Sequence, residues 1–348
     1  MTEAWIIDAC RTPRGIGKYD KGALSKIHPQ QLGATVLKAL AERTGIDTAD
    51  VDDIIWGTSA QKGAQGGDLG RMSALDAGYS IKSSGVTLDR FCGSGITTVN
   101  LAAASIMAGF EDLMIAGGTE MMSMPGRRTG DGPPVMDNGN LRLRASHPQS
   151  HQGLCADTIA TMEGISREAL DDLSLESQKR ADHAIRNGYF ARSVVPVYHA
   201  DGTLALDHEE FPRPDTTAEG LATLKPSFEA IADVDLGGGR TWRKQIQRVY
   251  PDLQFAAVHH PGNSSGVVDG AGAVLLTSKD YADRHGLKPR ARVVAYANVG
   301  DCPTLMLNAP VPAARKVLSK AGLTVDDIDL WEINEAFAVV AEKFIRDL

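Results

Sequence analysis

Cysteine is scarce in this chain, and its placement excludes two common uses. The 348 residues contain four cysteines, Cys10, Cys92, Cys155 and Cys302. They are widely scattered, with no Cys-x-x-Cys pair and no Cys/His grouping at zinc spacing. The spacing therefore predicts neither a disulfide framework nor a metal site.

An excess of positive charge is also absent, and so is a targeting signal. The formal net charge of −8 argues against nucleic acid as the main partner. We expect no apolar run long enough to cross a membrane, and the N-terminus, MTEAWIIDACRTP, shows no basic region followed by a hydrophobic signal segment. With 43% hydrophobic residues, the chain is long enough for a large core and more than one domain. We expect a soluble, cytoplasmic protein that does not bind a membrane.

Cys92 lies between a predicted strand and a predicted helix. An extended run over residues 86–90 stops at Phe91-Cys92, and Gly93-Ser94-Gly95 opens an Ala-rich helical segment that reaches about Met107. Unpaired amides and the helix dipole at a helix start favour thiolate over thiol. The glycines let backbone N–H groups approach an oxyanion. The pattern predicts a nucleophilic cysteine, and the alternative is a small buried hydrophobic residue.

The order of elements near the N-terminus returns near the C-terminus. Strands alternate with helices, which predicts an α/β layered fold with parallel pairing. Residues 291–297 resemble the strand at 4–9, and the helix at 312–320 resembles the one at 32–43. Gly322 to Trp331 then echoes Gly45 to Trp56. Three matching elements in the same order indicate a duplicated half.

The second copy of this pattern is shorter than the first. In the first copy 36 residues separate Trp56 from Cys92, whereas 17 residues follow Trp331. If the second copy had the same elements as the first, it would continue for roughly 45 more residues, so we expect the second half to be C-terminally truncated. The alternative is a shorter sheet that ends on a helix over residues 335–347.

A segment of different composition lies between the two copies. Residues 121–149 carry methionines and arginines, among them Arg127 and Arg128, and are expected to form an extended, mobile or interface-forming excursion. Residues 166–189 predict an amphipathic helix that Ser166 can cap. We expect an N-terminal half over 1–120 plus about 258–278, an inserted substrate-binding domain over 121–257, and a partial C-terminal half over 279–348.

Several motifs, in this order along the chain, resemble those of the thiolase (acetyl-CoA acetyltransferase, 3-ketoacyl-CoA thiolase) family. They are the Cys92 frame, His151-Gln152-Gly153, Gly262-Asn263-Ser264-Ser265-Gly266 before Asp269-Gly270-Ala271, Met306 in CPTLMLNAPVP, and Asn334-Glu335-Ala336-Phe337-Ala338. The resemblance spans nearly the whole chain. It implies a duplicated thiolase-like αβαβα layered fold with an inserted loop domain, whose second half is incomplete here.

The resemblance also implies roles for six residues. Cys92 would take the acyl group as a thioester, which splits one acyl transfer into two steps. Asn334 would hold a water near the acyl carbonyl, although its position also fits a helix cap before Glu335. The remaining implied contacts are with the substrate: His151 and Ser265 with the pantetheine arm, Met306 with the acyl pocket, and Arg213 with the CoA nucleotide. Their ordinary alternatives are a solvated histidine, a loop serine, a gap-filling methionine and a solvated arginine.

This chain departs from the family pattern in ways that keep two alternatives open. The family places a Gly-His-Pro and a Cys-x-Gly motif after the NEAFA segment, and this chain ends before either, so a non-catalytic acyl-CoA-binding or assembly protein is the alternative. A decarboxylating condensing enzyme would need histidines that residues 291–348 lack. His260-Pro261-Gly262 copies the missing motif only superficially. Gln152 and an extra stretch over residues 233–254 leave the chain-length preference open.

The resemblance finally implies what the protein works with. We expect CoA as a substrate or cosubstrate with no permanently bound cofactor, 3-ketoacyl-CoA thiolysis or acetyl-CoA condensation as the reaction, and a homodimer or homotetramer as the assembly.

Overall fold

The computed structural model describes residues 2–124 and 136–348. The chain divides into two compact units. The first unit comprises Met1–Arg127, Ala184–Pro212 and Val267–Val294, and the second comprises Arg128–His183, Arg213–Gly266 and Ala295–Leu348. Arg127 and Arg128 of the predicted excursion lie outside the described residues. The domain boundaries predicted from the sequence stay a prediction.

The described residues form strands and helices in alternation. The strands are β1 (Ala4–Arg11), β2 (Gly15–Ile16), β3 (Asp53–Gly57), β4 (Val86–Leu88), β5 (Leu113–Met121), β6 (Val197–Tyr198), β7 (Leu204–Leu206), β8 (Val268–Ser278) and β9 (Ala291–Arg292). The helices are α1 (Pro29–Thr44), α2 (Leu69–Asp76), α3 (Ser94–Ala108), α4 (Leu141–Ser146), α5 (Gln152–Met162), α6 (Arg167–Arg186), α7 (Ala218–Ala222), α8 (Trp242–Gln247), α9 (Lys279–His285), α10 (Pro310–Ala321) and α11 (Ala338–Asp347).

A mixed sheet organises the first unit. Its strand order is β4-β3-β5-β8-β1-β9, with β2 pairing with β8, and β6 and β7 form a separate pair. The pairs β3–β4 and β3–β5 are parallel, which confirms the predicted pairing where helices connect consecutive strands. The pairs β5–β8, β8–β1 and β1–β9 are antiparallel. β8 therefore runs opposite to β5 and β1, which lie on either side of it.

Helices cover both faces of this sheet. Along β3, Ile54 and Trp56 pack into the cluster that includes α1 and α2, whereas Ile55 points to the other face and packs with α3. The alternation follows from the two-residue period of a strand. Burying each of these large side chains stabilises the fold by about 1.5–3 kcal/mol. Gly45, with φ of 66°, ends α1 as the sequence predicts.

One helical segment of the first unit is as long and as apolar as a membrane-spanning helix. By length and composition alone, Phe91–Ala108 is apolar enough to cross a membrane, with a mean hydropathy of 1.3 over 18 residues. The expectation that no such run exists is therefore wrong. One face of α3 packs on the sheet, where Ala102, Ala103 and Ile106 are fully buried, whereas Ile96 and Leu101 on the rest of the helix are exposed.

The second unit is mainly helical. Residues 153–160 of α5 are buried without interruption and pack with α6 and with the segment around Phe337. The predicted amphipathic helix is confirmed as α6, and the Ser166 hydroxyl accepts a hydrogen bond from the Ala169 amide at 3.3 Å. The predicted second-copy helix is confirmed as α10.

Two predicted elements differ from the structure. The strand expected at residues 291–297 is reduced to β9, because only Ala291 and Arg292 pair with β1. The helix expected over residues 335–347 begins only at Ala338, with Phe337 as its N-cap residue. Asn334 is therefore not the helix cap that its sequence context allowed.

Candidate functional site

Cys92 lies in a short turn, Phe91–Gly93, that leads directly into α3. Phe91 has a φ of 48°, a left-handed conformation that is uncommon for a residue with a side chain. Ser94 stabilises the turn, because its hydroxyl accepts from the Arg90 amide at 2.8 Å and donates to the Phe91 carbonyl at 2.8 Å. The Cys92 side chain is exposed. The thiol is thus presented at a helix start, as the sequence predicts.

The start of α3 rests closely on the end of β3. A Cβ on Gly57 would lie 2.8 Å from the Ser94 Cβ, so only glycine fits at the last residue of this strand. Within the part of the chain that the structure describes, no side chain caps the N-terminus of α3. The Ser94 amide donates to the Phe91 carbonyl within the turn, so an anionic group at this helix start would meet the amides that follow Ser94.

The buried cysteines differ from Cys92 in their surroundings. Burial raises the pKa of the Cys10 thiol to about 12 and that of the Cys155 thiol to about 12. Both thiols donate to backbone carbonyls, Cys10 to Val36 and Cys155 to Thr304. These two cysteines stay protonated at neutral pH and are structural.

Ser265 and Asn334 belong to two segments that pair with each other in the second unit. The Ser265 amide donates to the Ala336 carbonyl at 3.0 Å, and the Ala338 amide donates to the Asn263 carbonyl at 3.0 Å. Ser264 and Phe337 form an antiparallel bridge between these bonds. The structure therefore brings the Ser265 loop and the NEAFA segment together, and the side chains of both Ser265 and Asn334 are exposed.

Buried polar groups anchor the loop that carries Ser265. Asp171 of α6 accepts from the His260 ring at 2.8 Å and from the Asn263 side-chain amide at 2.9 Å. Arg167 pairs with the same carboxylate group at 3.3 Å. Asn263 also accepts from the His260 amide through its side-chain oxygen at 2.8 Å. The loop conformation is thus fixed by charge-assisted hydrogen bonds away from solvent.

His260 fills a structural place in this anchor. Its Nε2 bonds to Asp171, and its Nδ1 accepts from the Gly262 amide at 3.1 Å. The side chain is fully buried, and desolvation lowers its pKa against the opposing effect of Asp171. Because both ring nitrogens are engaged, His260 does not match an activating base, despite its Gly-His-Pro-like sequence.

A second histidine–carboxylate pair lies beside the first. His259 Nδ1 is 2.7 Å from Asp157 Oδ1, and both side chains are fully buried. The same oxygen accepts the amides of Val258 and His259 at 3.0 Å. The His259 ring also meets Phe337 edge to face, with centroids 5.5 Å apart. This pair links α5 to the NEAFA segment.

His151 is held between aromatic rings. It is the N-cap residue of α5, where its Nδ1 accepts from the Gly153 amide at 3.2 Å. Its ring centroid lies 5.5 Å from Phe228 and 6.2 Å from Trp242. Phe228 in turn meets Phe337 with centroids 5.8 Å apart. A continuous row of rings therefore connects His151 to the segment that pairs with the Ser265 loop.

Met306 lies in a tight turn that is tied to α5. Its φ is 57°, and its amide donates to the Cys302 carbonyl at 2.9 Å. Within this turn the Thr304 carbonyl accepts from the Cys155 thiol at 3.2 Å, and the Thr304 hydroxyl donates to the Pro148 carbonyl at 2.6 Å. The helix that begins at His151 thus also positions the Met306 turn.

Arg213 lies apart from this row of rings. Its side chain is exposed, and its amide donates to the Gln178 side chain of α6 at 2.8 Å. Of the residues singled out from the sequence, His151, Ser265, Met306 and Asn334 are connected through packed neighbours, Arg213 lies on the flank of α6, and Cys92 belongs to the first unit.

Sequence reasoning missed the residues that hold these groups in place. Asp157 and Asp171 occupy an otherwise ordinary amphipathic pattern, and Phe228 lies in a polar stretch. Trp242 carried a usable signal, since a tryptophan inside a glycine- and charge-rich extra stretch has no reason to be there unless it is buried.

An exposed cysteine on a constrained turn at a helix start, on a mixed α/β sheet, is an arrangement that fits the class of enzymes that transfer groups through a thiol. The comparisons with known proteins name the family. A family model for the thiolase N-terminal domain matches residues 4–235, and one for the thiolase C-terminal domain matches residues 287–348. The chain belongs to the thiolase family and is a thiolase-type acyltransferase.

Curated relatives agree with this assignment. The chain is 39% identical to an acetyl-CoA acetyltransferase of Chromobacterium violaceum over 99% of its length and 84% of that protein. It is 37% identical to the steroid 3-ketoacyl-CoA thiolase FadA6 of Mycobacterium tuberculosis over 100% of its length and 80% of that protein. It is 36% identical to a beta-ketoadipyl-CoA thiolase of Acinetobacter baylyi over 100% of its length and 84% of that protein. The predicted continuation beyond Leu348 stays a prediction.

A solved structure shares the fold. The crystal structure of the Bacillus anthracis acetyl-CoA acetyltransferase matches with a TM-score of 0.81 at 30% identity, covering 100% of this chain and 83% of that chain. The predicted thiolase fold class is confirmed. The names of the relatives are those of acyl-transferring enzymes, so the non-catalytic alternative is not favoured.

Proposed function

We propose that this thiolase-type enzyme moves an acyl group between CoA thioesters through a thioester on Cys92. The observation that carries the proposal is the exposed Cys92 thiol on the constrained turn ahead of α3. The reaction is 3-ketoacyl-CoA thiolysis or acetyl-CoA condensation, which share the same acyl-enzyme.

The chemistry follows from the position of the thiol. The Cys92 thiolate attacks the carbonyl carbon of an acyl-CoA, and negative charge develops on the carbonyl oxygen. Backbone N–H groups at the start of α3 are suited to stabilise such charge. In condensation, collapse breaks the C–S bond, and CoA leaves as its thiol after taking up a proton. In thiolysis, collapse breaks the C2–C3 bond of the 3-ketoacyl-CoA, and acetyl-CoA leaves after its C2 takes up a proton. The acyl group stays on Cys92 in both directions. The acceptor, the thiol of CoA in thiolysis or the α-carbon of a second acetyl-CoA in condensation, gives up a proton as it takes the acyl group and frees the cysteine.

Residues of the second unit recognise the substrate in this proposal. His151 and Ser265 contact the pantetheine arm, Met306 lines the acyl pocket, Asn334 holds a water near the acyl carbonyl, and Arg213 approaches the CoA nucleotide. Support comes from the packed row His151–Phe228–Phe337 and from the pairing of the Ser265 loop with the NEAFA segment. These contacts give the proposed binding groups fixed positions.

The remaining expectations concern partners and location. CoA serves as substrate or cosubstrate, and no permanently bound cofactor takes part. We expect a homodimer or homotetramer, a soluble protein and a cytoplasmic location. Light scattering on the purified chain at several concentrations measures the assembly, and a concentration-independent monomer would contradict it.

Intact-protein mass spectrometry tests the proposed nucleophile. The chain is mixed with acetyl-CoA, quenched in acid, and compared with Cys92→Ala and Cys10→Ser. We expect the wild type and Cys10→Ser to gain the mass of one acetyl group, with the modified peptide containing Cys92, and Cys92→Ala to gain nothing. Cys10→Ser keeps a hydroxyl donor for the Val36 carbonyl and so serves as a matched control. Acetylation of Cys92→Ala to the same extent would refute the proposal.

A further inference from the structure

The segment over residues 233–254, which the sequence marked as an extra stretch, is packed against the proposed substrate-binding residues. It belongs to the second unit and contains α8. Trp242 is 3% exposed and Ile246 is fully buried, and they pack with Leu154 of α5 and with Ala232. A polar, glycine-rich sequence thus contributes a small apolar core of its own.

The first contact of this segment reaches His151. The Trp242 ring meets the His151 ring edge-on, at an interplanar angle of 65° and a centroid distance of 6.2 Å. The Trp242 carbonyl accepts from the Ser150 hydroxyl at 3.3 Å, so both main chain and side chain of Trp242 contact this site. Phe228 packs on another part of the His151 ring, and Gly153 holds its Nδ1. Removing the indole would free the imidazole on one side.

The second contact reaches the turn that carries Met306. The Tyr250 hydroxyl lies 3.6 Å from the Cys302 sulfur. Cys302 heads the turn, since its carbonyl accepts the Met306 amide at 2.9 Å. Burial, together with the neighbouring Cys302, raises the pKa of Tyr250 to about 12, so the phenol remains protonated at neutral pH. One segment therefore touches both the histidine and the methionine turn.

The segment is anchored firmly enough to transmit these contacts. Arg243 pairs with Asp233 at 2.9 Å and lies 4.9 Å from the centre of the Phe255 ring. The Arg248 guanidinium donates to the carbonyls of Arg144 and Ala145 at 3.0 and 2.6 Å. The Arg243–Asp233 pair holds the segment together internally, and Arg248 ties it to residues 144–145.

We infer that residues 233–254 form a brace for substrate recognition, in which Trp242 positions His151 against the pantetheine arm and Tyr250 positions the Met306 turn that sets acyl-group selectivity. This inference rests on the proposed function, because the brace affects substrate recognition only if His151 and Met306 contact acyl-CoA. Trp242 and Tyr250 are positioning residues, and neither takes part in the chemistry at Cys92. The substrate class that the brace favours is the short acyl group, since a Met306 turn held in place gives the acyl pocket a fixed wall that penalises bulk.

Kinetics with a graded set of acyl-CoA esters, from acetyl to hexanoyl, test the brace. The variants are Trp242→Ala, Trp242→Phe and Tyr250→Phe, with Trp5→Phe and Tyr198→Phe as matched controls in the first unit. We expect Trp242→Ala to raise KM about 10-fold for every ester, because the pantetheine arm is common to all of them, and Tyr250→Phe to shift the ratio of hexanoyl to acetyl kcat/KM upward by about 3-fold. Trp242→Phe, which keeps a smaller ring beside His151, should have a KM between those of the wild type and Trp242→Ala.

A readout at Cys92 separates positioning from general damage. The rate of Cys92 alkylation by iodoacetamide should match the wild type in all three variants. A fall in kcat for every ester, with KM and the acyl preference unchanged, would overturn the inference. Variants whose KM and acyl preference both match the wild type would overturn it as well. If Trp242→Ala fails to fold, the ring-retaining variants Trp242→Phe and Tyr250→Phe decide the question. A wild-type chain that forms no acyl-enzyme overturns the proposed function, whereas one that acylates while its variants keep wild-type KM and acyl preference overturns the inference alone.

Discussion

At the residue scale, two glycines near Cys92 differ in whether a side chain could replace them. Gly57 sits where a Cβ would lie 2.8 Å from the Ser94 Cβ, whereas a Cβ on Gly95 would meet nothing within 4 Å. Gly95 lies in the first turn of α3, where glycine costs helix stability relative to alanine. Replacing glycine by alanine therefore has different consequences at the two positions. Gly57 is needed for packing, and Gly95 is not.

We predict that Gly57→Ala lowers the free energy of unfolding by about 1–3 kcal/mol, because the new methyl group overpacks the contact with Ser94. It should also slow alkylation of Cys92 by displacing the start of α3. The matched variant Gly95→Ala should raise the free energy of unfolding by about 0.5–1 kcal/mol. Urea denaturation measures both values, and equal effects of the two substitutions would contradict the described packing.

The lowered pKa of His260 predicts how stability depends on pH. Desolvation holds the pKa of His260 in the folded state below its ordinary value of 6.5, so the unfolded chain binds more protons in the interval below that value. Stability therefore falls as the pH drops below about 6.5 towards the folded pKa, and it is fully present above the unfolded value.

We predict that His260→Gln flattens this acid loss of stability, since glutamine has no proton to take up. Thermal unfolding measured from pH 8 down to about pH 5 should show a shallower slope for the variant than for the wild type. The control His208→Gln removes an exposed histidine and should keep the wild-type slope. A slope that His260→Gln leaves unchanged would show that other groups cause the acid sensitivity.

At the element scale, local sequence signals predicted helices and their ends well. They failed where a strand depends on a hydrogen-bonded partner elsewhere in the chain. The left-handed Gly45 and the Ser166 cap have local physical causes, and α1 and α6 appear where expected. Residues 293–297 carry strand-like side chains, but a strand needs a hydrogen-bonded neighbour, and pairing with β1 ends at Arg292. Sequence pattern alone does not reveal such a partner.

The candidate site divides in the same way. Cys92 was predictable because its signal is local: a cysteine, two glycines and a helix start. The supports of His151 were not, because Trp242 is 91 residues away along the chain and Phe228 is 77 residues away. The anchoring of Ser265 through Asp171 is equally long-range, and no periodicity predicts it.

We predict that Asn263→Ala loosens the pairing of the Ser265 loop with the NEAFA segment. The substitution removes the donor to Asp171 and to the Val258 carbonyl, and it should cost about 1–3 kcal/mol per buried group left unpaired. Hydrogen exchange at the Ser265 and Ala338 amides should become faster. Asn140→Ala, which removes the N-cap of α4, should leave exchange at these two amides as in the wild type.

At the scale of the whole molecule, two compact units supply different parts of the proposed reaction. The first unit provides the sheet and the helix start that present Cys92, and the second provides the connected groups proposed to recognise acyl-CoA. The central claim is that an acyl group rests on Cys92 between donor and acceptor.

Isotope exchange between unlabelled acetyl-CoA and labelled free CoA tests that claim most directly. A covalent acyl-enzyme releases the first CoA before the second binds, so label must pass into acetyl-CoA with no other acyl acceptor present. We predict exchange with the wild-type chain, and a fall of at least about 10³-fold in Cys92→Ala, in line with losing a catalytic nucleophile. Exchange that persists at the wild-type rate in Cys92→Ala would contradict the account.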